Sequence, residues 1–122
     1  MQKKSYKGRC EKRKVHKSKE VCRLYSDLQI SYVQVLEQDE SISEINCNFF
    51  LDGLSEGDYT SDFLCKKTDG SLMVRECVER NHLMKPMTVK LLDLSREYWR
   101  RHGVDDWGIV TNKVGDSSVS EI

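Results

Sequence analysis

The sequence predicts an α/β protein: a mixed central β-sheet flanked by helices. Three observations point there. Two strand-like runs, YTSDFLCKK and SLMVRECV, surround Thr68-Asp69-Gly70, a strong hairpin signal. A helical stretch follows, roughly Lys85 to His102, with Pro86 suited to its first turn and Gly103 to its stop. The apolar run DWGIVTN comes next, so the last three elements form a strand–helix–strand unit, whose usual outcome is a right-handed crossover into a parallel pair.

The elements can be justified in order. Residues 1–24, beginning MQKKSYKGRCEKRKVHKSKE, show little apolar periodicity and read as a basic N-terminal arm. Ser26 or Asp27 offers an N-cap to LQISYVQVLEQDE, where Leu28, Tyr32, Val35 and Leu36 share a face at helical spacing. In SISEINCNFFLDG, Ile45, Cys47 and Phe49 alternate with polar residues as in a half-buried strand. LDGLSEGD is a loop by its Gly, Asp and Ser content. In the second helix Val89, Leu92, Tyr98 and Trp99 are expected to face inward, and Arg96, Arg100, Arg101 and His102 suit the negative end of its dipole. The folded domain is thus expected over 25–113, with 114–122 a frayed C-terminal tail.

A chain of 122 residues suits one domain with one modest core, and 33% charged residues make it polar and globular. No apolar run approaches the roughly eighteen residues of a membrane span, and no apolar h-region follows the basic start. The cysteines at 10, 22, 47, 65 and 77 are odd in number and contain no CxxC pair. That usage fits free thiols in a reducing cytoplasm and speaks against structural zinc. The net charge of zero hides an asymmetry: residues 1–24 hold ten Lys or Arg against two Glu, a net of +8, leaving −8 for the other 98 residues. A basic arm on an acidic body is a clue to polyanion binding, with Arg9, Lys12, Arg13, Lys14 and Lys17 the candidate contacts, although a solvated tail would have the same composition.

Asp62 and Glu76 lie in runs that read as mostly buried, which is costly for acids unless something compensates them. A three-residue loop Thr68–Gly70 with Gly left-handed makes cross-strand partners sum to 138, placing Asp62 opposite Glu76 on one face with Cβ atoms about 5 Å apart. A two- or four-residue loop slips the register by one and sets Asp62 against Cys77. The x-Asp-Gly pattern favours the first. Two adjacent carboxylates repel unless a cation sits between them, and Mg²⁺ (or Mn²⁺) is the hard ion such oxygens hold beside phosphate. The competing structural reading has Asp62 in solvent and Glu76 paired with Arg75 or Arg80.

An acid, a hairpin, a second acid, then helix and strand resembles the PD-(D/E)xK restriction-endonuclease-like core. More narrowly, LYSDLQISYVQVLEQDESISEINCNFFL, YTSDFLCKKTDG and LLDLSREYWRRHGVDDWGIVTNK look like the N-terminal catalytic domain of TnsA, the endonuclease subunit of heteromeric bacterial transposases. The resemblance covers about residues 21–113, and its most telling pieces are TSDFL before a DG turn and the REYW helix before a W-x-I-V-T strand. It implies that Asp62 is the central metal-binding aspartate, Glu76 the acid opening the (D/E/Q)xK element, and Cys77 the middle position that touches metal through its carbonyl. Two positions depart from the family. Gln29 stands where a glutamate ligand belongs, and Val78 stands where the catalytic lysine belongs. Valine can neither activate water nor offset phosphate charge, so a relocated Lys85 or Lys90 is the candidate replacement.

The resemblance implies an Mg-dependent DNA endonuclease acting at transposon ends with a DDE-type transposase subunit, without a membrane, and with a homodimer compatible. The alternative is a catalytically impaired module that keeps the nuclease fold and binds DNA or the transposase. An RNA-binding regulator has little support, because aromatic residues are only 8% and no stacking motif is present.

Overall fold

The computed structural model describes residues 11–54, 59–112 and 119–121. The elements run β1 (Glu11–Arg13), β2 (Cys22–Leu24), α1 (Asp27–Gln38), β3 (Ile42–Phe50), β4 (Thr60–Lys67), β5 (Leu72–Cys77), a 3-10 turn (Arg80–His82), α2 (Pro86–Arg101), β6 (Asp106–Asn112) and β7 (Val119–Glu121). Strands β3-β4-β5-β6-β7 make one sheet, and β1-β2 a separate ribbon. β5 and β6 run parallel while the other neighbouring pairs are antiparallel, so the sheet is mixed and the fold class is α/β.

Two apolar layers sandwich the sheet. On one face Leu28, Tyr32, Val33 and Leu36 of α1 pack with Ile45, Phe63, Cys65, Met73, Cys77 and Val110. On the other, Leu91 and Trp99 of α2 pack with Leu51, Tyr59, Leu64, Val74 and Val104. The alternation of Phe63 and Cys65 with Leu64, and of Met73 with Val74, is what divides the strands between the layers.

Local chemistry sets the boundaries. Ser26 caps α1, its Oγ accepting from the Gln29 N–H at 3.2 Å. Pro86 opens α2, and Gly103 follows it at φ +82°, a conformation natural to glycine. The Thr68–Gly70 loop closes as the three-residue form: Lys67 N–H donates to Ser71 O at 2.8 Å and Gly70 has φ +89°. Phe63 pairs with Arg75 and Leu64 with Val74, so the 138 register is the one adopted.

Several expectations need correction. The segment 11–24 is not a free arm. It forms the β1–β2 ribbon, and Val15, Cys22 and Leu24 are buried in the α1-side core. This segment covers the outer edge of β3: Ile45 N–H donates to Lys17 O at 3.0 Å, and Asn48 Nδ2 to Arg23 O at 2.8 Å. Three buried apolar residues scattered among six basic ones gave no readable period, yet they suffice once a sheet edge is there to receive them. Cys22 and Cys47 form a disulfide, contrary to the expectation of free thiols, because β2 and β3 bring their Cα atoms to 5.6 Å. Cys65 and Cys77 are free and buried; Cys10 lies outside the described residues. The expected tail contains β7, which pairs with β6 through Val110–Glu121, Thr111–Ser120 and Asn112–Val119. Val35 and Val89 are exposed at 43% each; the inner faces are instead completed by Gln29 and Val33 in α1 and by Leu91 and Ser95 in α2. Among the described residues, no helix is long and apolar enough to cross a membrane.

Candidate functional site

Asp62 and Glu76 are both buried, at 1% and 0% exposure, so neither is the surface ion-pair partner of the structural alternative. They occur where the β4–β5 ladder ends at Phe63–Arg75. Beyond that pair, side chains replace the backbone. Asp62 N–H donates to Glu76 Oε1 at 2.9 Å, and Cys77 N–H donates to Asp62 Oδ2 at 2.7 Å. Each acid therefore accepts one N–H at the place where two strands part. Asn48 in the neighbouring strand has φ +56°, a second break in regular pleating beside Asp62.

The carboxylates turn to opposite faces. Asp62 Oδ1 accepts from Gln29 Nε2 of α1 at 3.0 Å. Glu76 Oε2 accepts from Ser95 Oγ of α2 at 2.6 Å and from Tyr59 Oη at 3.3 Å. The expectation of adjacency is met, but that of a shared face is not. Interrupted pleating is the reason: Ser61 faces α2 and Phe63 faces α1, so Asp62 between them departs from simple alternation.

A polar cluster supports Glu76. Trp107 Nε1 donates to Ser95 Oγ at 3.0 Å, Trp99 Nε1 donates to Ser61 Oγ at 2.8 Å, and the two serine oxygens lie 3.4 Å apart. Buried polar atoms need such partners, and here indoles and hydroxyls provide them inside an apolar layer. Gln29 is equally committed. Its Oε1 accepts from Tyr25 N–H at 2.7 Å while its Nε2 serves Asp62, so one amide ties the start of α1 to β4. Sequence reading missed Ser95, Tyr59 and Ser61. Ser95 was detectable as a polar residue at the inward spacing Leu91, Ser95, Trp99.

The candidate cations do not join the pair. Lys85 is the exposed N-cap residue of α2. Lys90 is exposed on the helix side opposite Trp99, lining a shallow cleft with Pro86, Val89, Asp93 and Leu94. Val78 is buried in the position the resemblance gives to lysine. Cys77 offers its N–H to Asp62 while its side chain packs in the α1-side core. Burial pushes the Cys65 thiol up to about 12, which keeps it neutral and poorly nucleophilic.

Each of the carboxylate oxygens of Asp62 and Glu76 accepts a protein hydrogen bond, and their directions diverge. Among the described residues, no three His, Cys, Asp or Glu side chains converge into a set of ligands.

The basic residues divide by role. Lys17 Nζ donates to Leu36 O at 3.0 Å and Asp39 O at 2.7 Å, closing the C-terminal end of α1 rather than reaching outward. Arg13 pairs with Glu11 at 2.7 Å. Lys12 and Lys14 are exposed, and Arg9 lies outside the described residues. Lys12 stands opposite Arg23, also exposed, while the flanking positions Cys22 and Leu24 point into the core. Lys12 and Arg23 therefore share the outward face of the ribbon.

No family model matches this chain, and no curated protein matches it.

Proposed function

We propose that this protein is a DNA-binding subunit that uses a nuclease-like α/β frame without nuclease chemistry, its acidic pair serving to hold the parting ends of β4 and β5. The observation that supports it most is the engagement of both carboxylates by α1, α2 and backbone N–H groups, together with Val78 in place of a lysine. The DNA-binding half of the reading rests on the ribbon. Like charges directly opposite each other are unfavourable, and the outward Lys12–Arg23 pair keeps such a conflict on the surface. A polyanion relieves it. Residues 11–24 alone hold six Lys or Arg against two Glu. The likeness to TnsA makes a DDE-type transposase subunit the natural protein partner.

The test has two arms. In fluorescence anisotropy with a duplex oligonucleotide, affinity should fall steeply with salt, and K12A/K14A/R23A should lower the log–log slope by about 2–3. Supercoiled plasmid incubated with Mg²⁺ or Mn²⁺, with and without a DDE-type transposase subunit, should remain uncut. Metal-dependent nicking that disappears in Asp62→Ala would restore the endonuclease reading, and absence of duplex binding would remove the DNA reading.

A further inference from the structure

The outward side of α2 carries a mixed stripe. Pro86, Val89, Lys90, Asp93 and Leu94 line one shallow cleft, and their spacing of i, i+3, i+4, i+7 and i+8 makes them a single row along the helix. Val89 is 43% exposed and Met87, beside the row, 54%. The row is balanced about the midpoint between Leu91 and Leu92. Lys90 and Asp93 lie equally far to either side with opposite charge, and Val89 and Leu94 lie equally far beyond them and are both apolar. Asp93 also meets Arg96 at 3.2 Å, but both side chains are largely exposed, where such a pair contributes little and can be shared.

From this balance we infer that α2 is the interface of a homodimer, in which Lys90 of each copy pairs with Asp93 of the other. A two-fold contact uses the same surface twice, so that surface must complement itself. Laid antiparallel about the midpoint, two copies of α2 set Lys90 against Asp93 at two symmetric places. Met87 of one copy then reaches Leu94 of the other, and Val89 lies under the Arg96 stem. A parallel pairing sets Lys90 against Lys90 and Asp93 against Asp93, which repel, and shifting the antiparallel register by three residues has the same fault. A partner of one charge sign would satisfy only one member of the pair, so a reversed second copy is the occupant that fits both. The face from Pro86 to Glu97 is only about 17 Å long, which makes the dimer small, weak and reversible. It involves neither the β1–β2 ribbon nor the acidic pair, so it stands apart from DNA binding.

Sedimentation equilibrium of the full chain over a wide concentration series should show monomer and dimer in exchange. Lys90→Asp and Asp93→Lys should each raise the dissociation constant at least about tenfold, since each sets like charges face to face. An equimolar mixture of the two single variants should dimerise again, because each supplies the charge the other has lost, and the double variant K90D/D93K should recover self-association. Salt should weaken the wild-type dimer, a measurement that needs no variant. A wild type that stays monomeric, single variants that dimerise as the wild type does, a mixture that stays monomeric, or association indifferent to salt would each overturn the α2 interface.

Discussion

Replacing Asp62 with alanine tests most directly whether the acidic pair is structural. Two buried donors lose their acceptor: Gln29 Nε2, now 3.0 Å from Oδ1, and Cys77 N–H, 2.7 Å from Oδ2. A buried donor left without a partner costs about 1–3 kcal/mol. The double loss therefore amounts to about 3–5 kcal/mol, a large share of the roughly 5–15 kcal/mol typical of a domain. With a urea m-value of about 1.5 kcal/mol/M, the unfolding midpoint should fall by roughly 2–3 M at unchanged m. Circular dichroism across a urea series measures this. A carboxylate kept for metal chemistry behaves in the opposite sense, since removing a functional charge from a strained site commonly stabilises. A neutral or raised midpoint in Asp62→Ala would therefore refute the structural reading. Gln29→Leu supplies the control for coupling: combined with Asp62→Ala it should cost clearly less than the two single losses added together.

Two further outcomes follow from the fold. The Cys22–Cys47 bridge spans 25 residues, and a loop of that size contributes about 3 kcal/mol, so C22A/C47A should unfold earlier in urea than oxidised wild type. Reductant should lower the wild-type midpoint and leave the variant unmoved. Asp106 is partly buried, which raises its carboxyl pKa, but hydrogen bonds and charge from Lys67 and Arg75 outweigh burial and hold it below the ordinary range. A depressed folded-state pKa contributes stability above the unfolded value of about 3.9 and loses it as pH falls through the folded one. Asp106→Asn should thus be less stable than wild type at pH 7, with the gap closing below about pH 4 in pH-dependent urea titrations.

The fold was legible wherever one local rule sufficed. Thr68-Asp69-Gly70 specifies its own loop, and that loop alone sets the pairing of β4 with β5. Pro86 and Gly103 bracket α2, and DWGIVTN matches β6 residue for residue. The ribbon and β7 were not legible, because three-residue strands are too short for any period to register. Their structure depends on what lies beside them. Val15, Cys22 and Leu24 acquire a core only after β3 presents an edge, and the Cys22–Cys47 bond records a proximity that spacing along the chain does not encode.

For the acidic pair, register was readable and direction was not. A sum of residue numbers states which positions are neighbours; facing depends on unbroken pleating. Pleating fails at Asn48 and Asp62 together, and that failure separates the acids. Asp62 meets the amide of Gln29, and Glu76 meets the hydroxyl of Ser95, so two helices on opposite layers are each joined to the sheet through one carboxylate. The parting of β4 and β5 is closed by an amide, a serine and two backbone N–H groups. Gln29 and Val78 are the residues that make this closure consistent. A glutamate at 29 would repel Asp62 instead of donating to it, and a lysine at 78 would bring an ammonium into a buried apolar position. The two departures from the nuclease pattern therefore support one arrangement, in which both carboxylates are held from within the protein.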